Sequence, residues 1–312
     1  MHERARIDYV LRKLDWLAAE RIWPNGLRYL WTDAFGVVLL VSLHRALGGQ
    51  RYLDDAEALI ASVDAVLARE RGYRIGEEAD RDGQYFHYLM KWLYALFVIG
   101  RYLPDYRERA IAIARDVHGA FCLPGRGVWW KMREDLSGPY PGFGFGAIDA
   151  FDAYVTYSLL DPHALADEIA DMRRLIMQTA LELTIHQDLG IGMMLWLSHF
   201  FPHEDWAVLQ RTRCLATLDH MWIRRSYFCR EPMLPEVKFA FTNYGVAIGL
   251  QSVGQHAGRV NRLHRFFEEY RTGDEYDRAA ITHVMACSSH FPGDLIMHER
   301  DGAAFAPGRS GA

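Results

Sequence analysis

Five aspartates, Asp33, Asp82, Asp149, Asp152 and Asp188, fall at or near the starts of apolar segments, with aromatic residues beside them. The segment openings read WTDAF (31–35), RDGQYFHYLMKW (81–92), GAIDAFDAY (146–154), HQDLGIG (186–192), FTNYGV (241–246) and YDRAAITHVMACSSH (276–290). Glycoside hydrolysis needs two carboxyl groups in different protonation states, one to protonate the leaving oxygen and one to act as base or nucleophile. Epimerisation or hydration of a sugar needs a similar acid and base. Asp149 and Asp188 are the expected carboxylate pair, with Asp82 next. The competing reading is helix capping, which suits Thr32, Asp33, Asp149, Asp188 and Asn243 by residue type. Capping alone does not call for Trp31, Tyr85, Tyr154 and Tyr244 alongside them.

His87 and Lys91 stand four apart in a helical segment that is otherwise apolar or aromatic, so both project from one side. Only four lysines occur in the chain: Lys13, Lys91, Lys131 and Lys238. A buried ammonium is costly unless paired, so Lys91 should meet a carboxylate, with Asp82, Asp149 and Asp152 the candidates, or an anionic group of a substrate. His283, Cys287 and His290 form one stripe on the last apolar segment; two of them could reach one zinc ion. A third ligand from the same helix would be strained, so they read more simply as satisfied core residues. No GxGxxG, Walker A, HExxH or terpenoid-cyclase aspartate motif is present.

The elements that must position these residues are helices. Ile7, Val10, Leu11, Leu14 and Leu17 follow the amphipathic spacing, whereas AFGVVLLVSLHRAL (34–47) is apolar nearly all round and stops at Gly48–Gly49. This alternation recurs. Buried helices are predicted to begin near 32, 84, 148, 188, 241 and 277, and amphipathic ones to cover 4–20, 52–69, 105–121, 162–182, 203–223 and 257–272. Six hairpins of one buried and one half-buried helix suit a closed (α/α)6 toroid, with the N-terminal helix completing the last pair. The segments 20–30, 70–82, 122–146 and 224–239 are long connections that all lead into buried helices. Long loops in a compact domain usually carry function, so the active rim is expected at the N-terminal ends of the inner helices. One domain is expected over 1–300, with a disordered tail over 301–312.

Composition narrows the function classes. The chain has 312 residues, half of them hydrophobic, and a net charge of −5, which gives no broad footprint for nucleic acid. The longest mainly apolar stretch, 34–43, falls short of the roughly 20 residues that span a bilayer. The opening MHERARIDYV is charged without an apolar core, so no secretory signal is expected. Four cysteines without a CxxC argue against a disulfide framework, and a cytoplasmic setting is expected.

The segment 27–60 resembles the opening hairpin of six-hairpin glycosidases. Trp31, Thr32 and Phe35, followed by Tyr52, Leu53 and Ala56, are similar to the unsaturated glucuronyl hydrolases, and HQDLGIG is a looser echo of their His-Asp-x-Gly-Phe motif, with Gln187 intervening. The stretches 80–92, 149–157, 188–192, 241–246 and 282–293 look more like an uncharacterised bacterial group of six-hairpin proteins, in an order covering nearly the whole chain. The resemblance implies the (α/α)6 toroid.

The expectation is therefore an all-α toroid acting as a glycosidase-like hydrolase on a sugar or sugar-like small molecule. Asp149, Asp188 and Asp82 would be catalytic. Trp31, Tyr85 and Tyr244 would wall the substrate, and Asp33, His87, Lys91, Asp152, Asn243 and His283 would contact it. The scheme requires no metal and no cofactor, and no nucleic-acid or membrane partner. The alternatives are a sugar isomerase or epimerase, a metal-dependent cyclase of the lanthionine-cyclase kind (whose Cys-His-Gly motif is missing here), and a non-catalytic binding module.

Overall fold

The computed structural model describes residues 3–230 and 240–297. The expected tail at 301–312, and the last residues of the expected domain 1–300, lie outside the described residues. Twelve α-helices are described: α1 (Glu3–Ala19), α2 (Leu30–Leu47), α3 (Gln50–Leu67), α4 (Phe86–Gly100), α5 (Asp105–Phe121), α6 (Asp149–Leu160), α7 (Ala166–Thr179), α8 (Asp188–Ser198), α9 (Asp205–Asp219), α10 (Phe241–Ser252), α11 (Ala257–Glu269) and α12 (Ala280–His290). Among the described residues, strand is confined to four two-residue pieces, β1 (Gln84–Tyr85), β2 (Cys122–Leu123), β3 (Gly127–Val128) and β4 (Lys131–Met132).

The even-numbered helices are apolar all round because they are enclosed all round. In α4, Leu89 through Gly100 are buried without a break, so every face of that helix meets protein. The odd-numbered helices bury one stripe; α11 hides Val260, Leu263, His264 and Phe267 and leaves polar neighbours wet. The inner helices contact in the order α2–α4–α6–α8–α10–α12, and α12 returns to α2, closing the ring. Helix α1 packs on α12, completing the sixth hairpin. The fold is an (α/α)6 toroid. Helix α2 passes the length and apolarity expected of a bilayer span, more than the stretch 34–43 suggested. Its residues Leu30–Leu43 are all buried inside the ring, which accounts for the apolarity.

Close approach sets the α8–α10 seam. A Cβ on Gly249 would sit 2.2 Å from the Gly192 carbonyl oxygen, and one on Gly192 would sit 2.5 Å from the Gly245 carbonyl carbon. The ring is plugged where the inner helices end. There the turn Gly293–Leu295 accepts from Tyr94 Oη at Asp294 O (2.6 Å) and from Trp196 Nε1 at Leu295 O (2.7 Å). The Asp294 carboxylate meets Arg101 (3.0 Å) and Arg45 (3.4 Å). Trp196 and Tyr94, edge to face at 5.0 Å, are fully buried in this wall, each contributing on the order of 2–3 kcal/mol by burial.

Candidate active site

The opposite rim is built by the starts of the inner helices and the long loops. The segment 122–146 folds over the start of α4 because β4 pairs antiparallel with β1, matching Tyr85 with Lys131, and Phe86 N donates to Trp130 O (3.1 Å). This brings Trp130 onto Tyr85, with ring centroids 5.2 Å apart and 28° between planes, and nearly parallel to His87 at 5.9 Å. Trp130 is 38% exposed, so the Tyr85–Trp130 pair presents an aromatic face to solvent.

His87 is fixed by that loop. Trp130 Nε1 donates to His87 Nδ1 (3.1 Å), and an Nδ1 that accepts leaves the ring proton on Nε2. Burial, helped by the Lys91 charge, pushes the His87 pKa down to about 3, so the imidazole is neutral at pH 7. Asp149 Oδ1 lies 3.8 Å from the same Nδ1 and has no hydrogen-bond partner among the described residues. Burial first, and then the negative charge of Asp152, raise the Asp149 pKa well above the carboxylate range; Lys91 opposes this. Gly146 makes room for it, since a Cβ there would sit 1.8 Å from Asp149 Oδ2.

Below Asp149, Lys91 Nζ donates to both oxygens of Asp152 at 2.6 Å and lies 4.6 Å from the Trp196 ring centroid. Both partners are buried. Burial pushes the Asp152 pKa up and the Lys91 pKa down, each opposed by the other's charge. Of the expected lysine partners, the structure selects Asp152.

The other predicted residues divide. Asp188, at the start of α8, accepts from Leu189 N (2.8 Å) and from Asn243 Nδ2 (3.5 Å). Burial raises its pKa, and the Thr242 and Tyr227 hydroxyls oppose that rise. Asp82 lies at the loop side of the rim, taking Tyr140 Oη (2.6 Å) and Lys131 Nζ (3.3 Å). The Tyr140 hydrogen bond and the lysine hold its pKa below the usual value. Asp33 is buried and already partnered: Trp23 Nε1 (2.9 Å), Tyr29 N (3.2 Å) and Arg28 (3.3 Å) meet its carboxylate. It ties the 20–30 loop to α2; burial pushes its pKa up to about 6. Tyr244 and His283 stand apart from that group. They line a cavity of about 370 Å³ with Tyr9, Lys13, Trp16 and Phe267, to which neither Asp149 nor His87 contributes. Trp31 is buried and meets His87 by an edge contact at 6.1 Å, so the accessible wall is Tyr85 with Trp130.

Trp130 itself was not among the sequence candidates. The signal for it was the aromatic density of the loop (Trp129, Trp130, Tyr140, Phe143, Phe145), but only the β1–β4 pairing shows where that loop lands. Capping explains less of the rim than residue type suggests: among the inner helices, Gln187 alone accepts at the first turn as a side-chain N-cap, from Gly190 N. Trp31 Nε1, Thr32 Oγ1, Asp149 Oδ1 and Asn243 Oδ1 are instead buried polar atoms without partners among the described residues.

No family model and no curated protein matches the chain. Solved structures do match. A GH76 alpha-mannanase of Bacteroides thetaiotaomicron aligns at TM-score 0.61 and 11% identity, covering 93% of this chain and 96% of that one. A D-mannose isomerase aligns at TM-score 0.60 and 11% identity, over 86% and 87% of the two chains. A cellobiose 2-epimerase of Spirochaeta thermophila aligns at TM-score 0.59 and 13% identity, over 88% of each. At these identities the likeness is one of fold.

Proposed function

We propose that this chain is a carbohydrate-active enzyme that works by general acid–base catalysis at the Asp149–His87 rim. One observation carries the reading: a buried carboxyl group, its Oδ1 without a hydrogen-bond partner among the described residues, lies 3.8 Å from a half-buried imidazole, beside an exposed aromatic pair suited to the apolar face of a sugar ring. Epimerases, an isomerase and a mannanase sharing the fold support the substrate class.

In the hydrolytic reading, Asp149 delivers its proton to the leaving oxygen and an ionised carboxylate takes the second role. Groups whose surroundings push their pKa values apart divide acid from base. By that criterion Asp82 fits the ionised role by charge, and Asp188 fits by its place at an inner-helix start. A second reading, proton transfer between adjacent carbons of a reducing sugar, is favoured by the Lys91–Asp152 pair. With both oxygens on Lys91, Asp152 is no free nucleophile, whereas one acid beside a neutral imidazole suffices for epimerisation or isomerisation.

Incubation with α- and β-linked disaccharides and with free aldoses and ketoses in deuterated water separates the two. Hydrolysis gives products summing to substrate plus water. Isomerisation keeps the skeleton and incorporates deuterium at the exchanged carbon. An Asp149→Asn variant that turned over any of these as fast as the wild type would remove Asp149 from the mechanism.

A further inference from the structure

Outside that site, the end of α5 places His118 four residues before Cys122, the first residue of β2. Asp171, on the neighbouring outer helix α7, faces both: one ligand atom from each of the three side chains lies within 4.8 Å of the others. His118 Nε2 is 3.3 Å from Asp171 Oδ2, and both His118 and Cys122 are buried. Arg174 also pairs with Asp171, but its side chain is 59% exposed and free to turn away.

We propose that His118, Cys122 and Asp171 bind one zinc ion, with the fourth position left to water. A tetrahedral zinc with bonds of about 2.0–2.3 Å holds its ligands roughly 3.3–3.8 Å apart, so the three groups, already within 4.8 Å of one another, need to close by about 1.5 Å at most. The donor set selects the metal: one sulfur and one imidazole nitrogen suit zinc, whereas magnesium and calcium take oxygen ligands. Binding exchanges the Cys122 S–H bond for a zinc–sulfur bond and releases the thiol proton to solvent. The ion would clamp the root of the 122–146 loop to α7. That root is otherwise held by the Cys122–Val128 pairing and by Trp129 N donating to Phe121 O (2.9 Å).

The test uses the full chain, stripped with chelator and then titrated with zinc or with cobalt(II). The expected result is one tightly held equivalent per chain, a rise in melting temperature, release of one proton, and a thiolate-to-cobalt charge-transfer band. Cys122→Ser abolishes that band, while Cys287→Ser, at the other His–Cys pair four residues apart, leaves it intact. Asp171→Asn replaces a partly exposed ligand and so keeps the protein folded even where the buried variants do not. It should weaken zinc affinity by at least ~10-fold, since even outer partners of metal ligands cost about 10–100-fold. Absence of stoichiometric binding, a band that survives Cys122→Ser or is lost in Cys287→Ser, or unchanged affinity in Asp171→Asn would each overturn the assignment.

Discussion

Replacing Lys91 with methionine isolates the buried pair on which the site rests. The ammonium bonds both Asp152 oxygens at 2.6 Å, and neither side chain is more than 4% exposed. Removing it strands a buried carboxylate, which costs about 3–5 kcal/mol for a broken buried pair. Unfolding entropy of about 2.1 cal/mol/K per residue gives roughly 0.66 kcal/mol/K for a chain of 312 residues, so the melting temperature should fall by roughly 5–8 °C. Asp152 can escape part of the cost by holding its proton. Its folded pKa is already raised by burial and rises further without Lys91. A carboxyl group raised in the folded state contributes its stability below the unfolded pKa near 4 and loses it as pH rises through the folded pKa. The deficit of Lys91→Met should therefore be small at pH 4 and largest at alkaline pH. Adding Asp152→Leu removes the stranded charge and should restore most of the loss, because a well-packed apolar pair often equals a buried ion pair. Thermal melts of both single variants and the double variant across pH measure this directly. A single variant as stable as the wild type at pH 8, or a double variant whose losses simply add, would refute the account.

Asp149→Asn should keep the fold and lower kcat by about 10²–10⁴-fold, the usual range for a general acid or base. Because the Asp149 pKa is raised in the folded state, the same variant should also escape part of the stability loss that the wild type suffers as pH rises above 4, read by melting temperature against pH. Trp130→Phe keeps an aromatic ring on Tyr85 but deletes the N–H that fixes the His87 tautomer; kcat should fall and its pH profile shift, with KM moving less, and a purely stacking role would change KM alone. Gly146→Ala puts a Cβ where the Asp149 carboxyl lies. It should cost about 1–3 kcal/mol by overpacking and lower kcat further than that stability loss explains, as steady-state kinetics on folded protein would show.

The period of the apolar residues determined the helices and their two kinds, because a helix enclosed on every side must be apolar on every side and one with a wet face need not be. That is why the starts of α4, α6, α8 and α10 fall within two or three residues of the places read from the sequence, and why Lys91, with no polar face to occupy, had to find a carboxylate. Which carboxylate was a matter of how α4 and α6 meet, and the ring decided for Asp152 over Asp82 and Asp149. Residue type marked Asp33 as readily as Asp149, yet only packing shows that Trp23, Tyr29 and Arg28 consume the first while the second keeps an unpartnered Oδ1 beside His87. Trp130 reaches the site through a two-residue strand pairing, Gln84 to Met132 and Tyr85 to Lys131, too short to announce itself by alternation. Local periodicity is written along the chain, because each helix solves its own burial problem; the protonation states and partners at the rim arise where separate helices and loops converge, and that convergence exists only in three dimensions.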